Sequence, residues 1–116
     1  MILKSIITIP ELSGPMKRRL YVSLPADYEE STESYPVLYM FDGHNVFYNE
    51  DATFGKSWGM KEYIEENDSR LIIVAVECNY EGNNRLSEYT PFDYPADSYF
   101  GEIKAKGKIY MAWTVN

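Results

Sequence analysis

Two wholly apolar runs, Val37–Phe41 and Leu71–Val76, with a helical pattern at Trp58–Glu66 between them, predict an α/β fold. Both runs are rich in β-branched and aromatic residues and are too hydrophobic for a sheet with one wet face, so each is expected as a strand buried on both faces. Two such strands joined through a helix form a βαβ unit, which implies parallel pairing and a right-handed crossover. A third observation completes the class: Ile2–Ile9 and Lys17–Leu24 alternate and are separated by Glu11–Pro15, the pattern of an antiparallel strand pair ahead of the βαβ unit.

In chain order, the first strand ends at Pro10, Glu11–Pro15 reads as a turn, and the second strand ends at Pro25. Asp27–Ser34 is expected as an acidic, solvated loop. The run Val37–Phe41 stops at Asp42-Gly43, where glycine tolerates the positive φ that a sharp turn needs. In the next helix, Trp58, Tyr63 and Ile64 fall at spacings compatible with one face, and Asn67 and Asp68 close it. Beyond Leu71–Val76, Glu77–Ser98 is polar and rich in Tyr, Asn and Pro, a loop long enough to be functional or disordered. A last helix from about Lys104 carries Ile109, Tyr110 and Trp113 on one side. It halts at Asn116 while still amphipathic, after only two parallel strands, leaving a sheet edge exposed to self-association. The chain therefore reads as the N-terminal part, residues 1–116, of a single larger domain.

Composition narrows the function. The 116 residues are 45% hydrophobic, an ordinary globular share, and 16% aromatic, with eleven tyrosines suited to a pocket or a core rim. A net charge of −7 argues against nucleic acid and anionic membranes, since phosphate binding needs clustered Lys and Arg. One cysteine, Cys78, excludes an internal disulfide, and one histidine, His44, excludes a site needing two imidazoles. No run reaches membrane-spanning length and the N-terminus lacks a signal peptide's features, so the expected location is cytoplasmic.

The buried strand ending in Asp42-Gly43-His44-Asn45 is where α/β folds place their chemistry, because the missing side chain of Gly43 lets a ligand approach the N–H groups of His44 and Asn45. A plain Asp-Gly turn is the competing reading. Gly55-Lys56-Ser57-Trp58-Gly59 matches the G-x-S-x-G nucleophile elbow, but a polar loop precedes Ser57 where a strand is required, and His44 comes before the serine rather than after it. Ser57 reads instead as a helix N-cap. The same G-K-S fails as a phosphate loop, since Glu50 stands at the first glycine position. His44, with Asp42, Asn45, Asn49, Glu50 and Asp51 around it in sequence, could hold a metal or act as a base, yet no ligand spacing matches and a pocket or surface residue is the simpler reading. Cys78 at a strand end is expected as a buried small hydrophobe rather than a nucleophile.

Arg18–Pro25 (R-R-L-Y-V-S-L-P), Tyr35–Gly43 (Y-P-V-L-Y-M-F-D-G), Arg85 with Glu88–Pro91, and Gly107 ahead of Tyr110–Trp113 together resemble the opening half of the Putative esterase family. That family is the esterase-D-like and enterochelin-esterase-like branch of the α/β-hydrolases. The resemblance implies the N-terminal part of an α/β-hydrolase fold and a serine hydrolase acting on small-molecule esters through a Ser, Asp, His triad, with no cofactor. It implies that Gly43, His44 and Asn45 form the oxyanion-hole loop and that Arg85, Glu88 and Tyr89 are substrate-pocket candidates. The serine elbow, and the acid and histidine after it, would lie beyond Asn116, so the isolated chain is expected to be inactive. The alternative is a non-catalytic binding or interaction module that uses the Tyr-rich stretch 79–99.

Overall fold

A computed structural model describes residues 1–67 and 69–116. Asp68, expected at the end of a helix, lies outside them. The strands are β1 (Ile2–Thr8), β2 (Lys17–Ser23), β3 (Val37–Met40) and β4 (Ile72–Val76), and the helices are α1 (Pro10–Ser13), α2 (Met60–Glu66), α3 (Asn84–Tyr89) and α4 (Gly107–Val115). The described residues divide into two compact units, one of residues 1–7 and 18–78 and one of residues 8–17 and 79–116. No helix among them is long and apolar enough to cross a membrane.

The first unit holds a four-stranded mixed sheet in the order β1-β2-β4-β3. β3 and β4 pair in parallel, Leu38 opposite Ile73 and Met40 opposite Ala75, as their apolar runs predict. β2 pairs with the other side of β4 in antiparallel register, Tyr21 opposite Ala75 and Ser23 opposite Ile73. Met1 and Leu24 exchange both backbone hydrogen bonds, at 2.8 and 3.1 Å, which sets the start of β1 antiparallel to the end of β2.

The expectation that β3 is buried on both faces is corrected. Residues opposite one another share a face, so Tyr21, Ile73, Ala75 and Met40 lie together, and this face is covered by Val46, Phe47, Met60 and Ile64. The opposite face is not covered to the same extent: Val22 and Val74 are half-buried, while Val37, Tyr39 and Phe41 are exposed. An all-apolar run calls for two covers, and the first unit supplies one. β3 also stands at the end of the strand order, paired on one side only among the described residues.

Helix α2 packs on the sheet through Met60 and Ile64, an i,i+4 pair, and not through the expected Trp58 and Tyr63, both more than half exposed. The helix begins at Met60, so Trp58 precedes it and the face is counted from a later residue. The acidic segment 27–34 is less solvated than its composition suggests. Arg70 donates to Asp27 and Glu33 at 2.8 Å each and to the Tyr35 hydroxyl at 3.1 Å, and its hydrogen bond holds the Asp27 carboxyl below the usual carboxylate range.

In the second unit the expected turn at Glu11–Pro15 is one helical turn, α1, closed by Gly14 at φ +54°. The expected long loop contains α3 and an antiparallel bridge between Tyr94 and Ile103. Polarity hid that helix, although Asn83 ahead of it and Pro91 shortly after it are boundary residues. Helix α4 buries Gly107 and Tyr110 and half-buries Trp113, a stripe with a spacing of three. Ile109, expected on that stripe, is 44% exposed because adjacent helical residues point about 100° apart.

Candidate functional site

The chain leaves β3 through Phe41 and turns at Asp42, whose φ of +52° makes it the residue in the left-handed region. The positive φ expected at Gly43 is thus carried by its neighbour, and aspartate is among the side chains that tolerate it. Residues 43–45 then form a short 3₁₀ turn. Gly43 has a different reason to be glycine: a β-carbon there would stand 2.6 Å from the carbonyl carbon of Ala75 and 2.7 Å from the Val76 nitrogen. The turn lies directly on the backbone of β4, closer than any side chain permits.

Inside the turn, the Asn45 N–H donates to the Asp42 carbonyl at 2.8 Å. The Asn45 side-chain oxygen accepts from the Thr53 N–H at 2.9 Å and its carbonyl accepts from the Trp58 N–H at 2.7 Å. Asn45 is thereby committed to holding residues 43–58 in one shape. His44 is buried, and its Nε2 lies 3.0 Å from the Thr53 hydroxyl. Val46 and Phe47, fully buried, anchor the segment in the core.

A second turn, Asn49–Asp51, is fastened to the sheet through Asp51. Its carboxylate receives the Tyr21 hydroxyl at 2.7 Å, the Arg19 guanidinium at 3.1 Å and the Lys4 ammonium, which also sits over the rings of Tyr21 and Tyr48. Burial opposes ionisation of Asp51, but the Lys4, Tyr21 and Arg19 contacts outweigh it and hold its pKa below the ordinary value. Burial, and then the bond to Asp51, pushes the Tyr21 phenol well up. Asp51 contributes stability that is complete above its unfolded pKa of about 4 and is lost as pH falls through the lower folded value. Asp51→Asn is expected to lower neutral-pH stability by about 1.5–3 kcal/mol and to flatten the acid limb. Urea midpoints at about pH 7 and about pH 3 check this, and equal acid sensitivity of the two proteins would show that the carboxylate contributes nothing.

The other sequence-derived candidates fall elsewhere. Ser57 follows a loop, as expected, but it does not cap α2. Its Oγ accepts the Gly59 N–H at 3.1 Å, and Gly59 itself, at φ +81°, occupies the N-cap. Cys78 is buried and outside any disulfide. In the second unit, Arg85, Glu88 and Tyr89 share helix α3. The Arg85 guanidinium lies 5.3 Å from the centre of the Tyr89 ring, and that ring meets Tyr110 edge-on at 5.6 Å. Glu88 is 1% exposed and accepts from the Asn79 amide at 2.9 Å, so it is built into the unit's interior. No cluster of His, Cys, Asp or Glu among the described residues could hold a metal. A cavity of about 480 Å³ in the first unit is lined by Leu24, Tyr48, Ile64 and Leu71 among others and includes none of residues 43–45. Asp51 was a candidate as a neighbour of His44, but its pairing with Arg19, and Arg19's with Glu77, escaped sequence reasoning, since these contacts join residues up to 58 positions apart.

A family model described as Putative esterase matches residues 12–110. No curated protein matches. Among solved structures, an IroE-like serine hydrolase from Shewanella oneidensis superposes with a TM-score of 0.68 at 20% identity, over 100% of this chain and 36% of its own. The BES protein from Bacillus cereus gives 0.55 at 19% identity over 97% of this chain and 42% of its own. The enterobactin and salmochelin hydrolase IroE gives 0.52 at 20% identity over 97% and 41%. The chain therefore has part of an α/β-hydrolase fold, and it spans between 36% and 42% of the length of these three structures.

Proposed function

The chain belongs to the Putative esterase family, and from that premise we propose that it is the N-terminal portion of a serine esterase, supplying the oxyanion-hole loop for hydrolysis of a small-molecule ester. The observation that carries the reading is the turn after β3, pressed by Gly43 onto the end of β4. Acyl transfer passes through a tetrahedral oxyanion, and preorganised backbone donors at such a turn stabilise it without reorganising during the reaction. The first hydrogen bond of the turn is made by the Asn45 N–H. Of the two donors expected from the sequence, at His44 and Asn45, the Asn45 N–H bonds the Asp42 carbonyl at 2.8 Å; this reading assigns the oxyanion to the backbone N–H groups of Gly43 and His44, with Asn45 as their brace.

The nucleophilic serine, the acid and the histidine of the triad come, on this reading, from sequence after residue 116. Ser57 takes no part, because no strand presents it. The expected result is hydrolysis of a short-chain p-nitrophenyl ester by the complete protein and no turnover by residues 1–116 alone. Activity in the 116-residue chain that disappears in Ser57→Ala would overturn this assignment. One observation favours a second reading, a binding module: Phe92, Tyr99 and Phe100 are 71%, 96% and 52% exposed, with Phe100 stacked on Tyr94. A complete protein inert toward esters, but with tyrosine fluorescence that responds to an aromatic ligand, would favour it.

A further inference from the structure

Arg19 joins the two pieces of backbone that enclose the candidate turn. On one side its Nε and Nη2 donate to Glu77 Oε2 at 3.1 and 2.6 Å, its backbone N–H donates to Glu77 Oε1 at 2.8 Å, and its carbonyl accepts the Glu77 N–H at 2.9 Å. Glu77 directly follows Ala75–Val76, the backbone against which Gly43 lies. On the other side Arg19 Nη1 reaches Asp51 Oδ1 at 3.1 Å. Asp51 ends the second turn, two residues before Thr53, which is bonded to both Asn45 and His44. One planar guanidinium therefore spans from the end of β4 to the far side of the loop. A guanidinium can serve two carboxylates at once in fixed directions, whereas an ammonium is a point charge that cannot reproduce the fork. The Arg19 and Asp51 side chains are 30% and 11% exposed, so water screens the bridge only in part.

We propose that Arg19 is a positioning residue for ester hydrolysis: bridging Glu77 and Asp51, it sets the distance between the end of β4 and residues 49–53, and so the placement of the Gly43 and His44 N–H groups. This rests on the reading of the turn as the oxyanion loop. Arg19 touches no reacting atom. Its effect is geometric, and a displacement of about 1 Å in an aligned site costs about 100-fold in rate. Because the oxyanion exists in the transition state and not in the ground state, the loss falls on kcat and leaves KM nearly unchanged.

The test uses the complete protein with Arg19→Lys, Arg19→Met and Asp51→Asn. Kinetics on a p-nitrophenyl ester are normalised to folded protein, and amide exchange is followed over residues 43–53. The expected result is a kcat lowered about 10-fold to about 100-fold in Arg19→Met and less in Arg19→Lys, with KM little changed and faster exchange at 44–53. Asp51→Asn, which keeps the side chain's shape, should show the same split if Arg19→Met folds poorly. Wild-type kcat in the folded variants, or a fall in kcat matched by a rise in KM, overturns the proposal while leaving the esterase reading intact. An inactive wild-type complete protein sinks the esterase reading, and the proposal with it.

Discussion

Gly43→Ala is expected to cost about 3 kcal/mol of stability, the upper end of the range for overpacking. The added β-carbon would meet Ala75 and Val76 backbone atoms at 2.6 to 2.7 Å, and a central strand cannot swing aside as a flexible side chain can. Either the turn lifts off β4 or the strand bends, and in both cases the Gly43 and His44 N–H groups move. Gly55 supplies the control: its φ is +78° but nothing lies within 4 Å, so Gly55→Ala pays only the left-handed backbone cost of about 1–2 kcal/mol. Urea unfolding of the three proteins side by side is the measurement. Equal midpoints for the two variants would mean that the turn does not lie on the strand. Gly43→Val is expected to lose folded protein as well, since any β-carbon meets β4 first.

Gly107→Ala separates helix propensity from packing by the sign of its effect. Alanine inside a helix is favoured over glycine by about 1 kcal/mol, so propensity alone predicts a gain. A β-carbon at Gly107, however, would stand 2.6 Å from the Thr90 carbonyl oxygen and 2.8 Å from its carbon, at the place where the Gly107 N–H already bonds that oxygen at 3.0 Å. The start of α4 would have to withdraw from the end of α3, breaking this bond and disturbing the neighbouring one from the Lys106 N–H to the Ser87 carbonyl at 2.7 Å. A net loss of about 2–3 kcal/mol is expected. Thermal unfolding with circular dichroism at the helix band decides it, and a raised midpoint would rule out the close contact.

The parallel pairing of β3 and β4 and the antiparallel entry of β1 and β2 were legible in the sequence because apolar runs and alternation are local consequences of burial. The location of the turn after β3 was legible for the same reason, since a run of Val, Leu, Tyr, Met and Phe cannot continue through Asp42-Gly43. Two helices were legible as elements but not in their faces. In α2 the starting residue decided which side chains turn inward, and in α4 a single 100° step removed Ile109 from the stripe.

The α/β class, the parallel direction of β3 and β4 and the existence of a turn after β3 were readable in the sequence, all matters of local hydrophobic pattern and turn residues. It took the packed chain to show why Gly43 and Gly107 are glycines, that Asp42 rather than Gly43 takes the left-handed backbone, that Glu88 is interior, and that Arg19 ties Asp51 to Glu77. The reason is one of range. A close backbone approach or a shared guanidinium depends on which distant segment lies opposite, and neither hydrophobic periodicity nor residue type at one position carries that information.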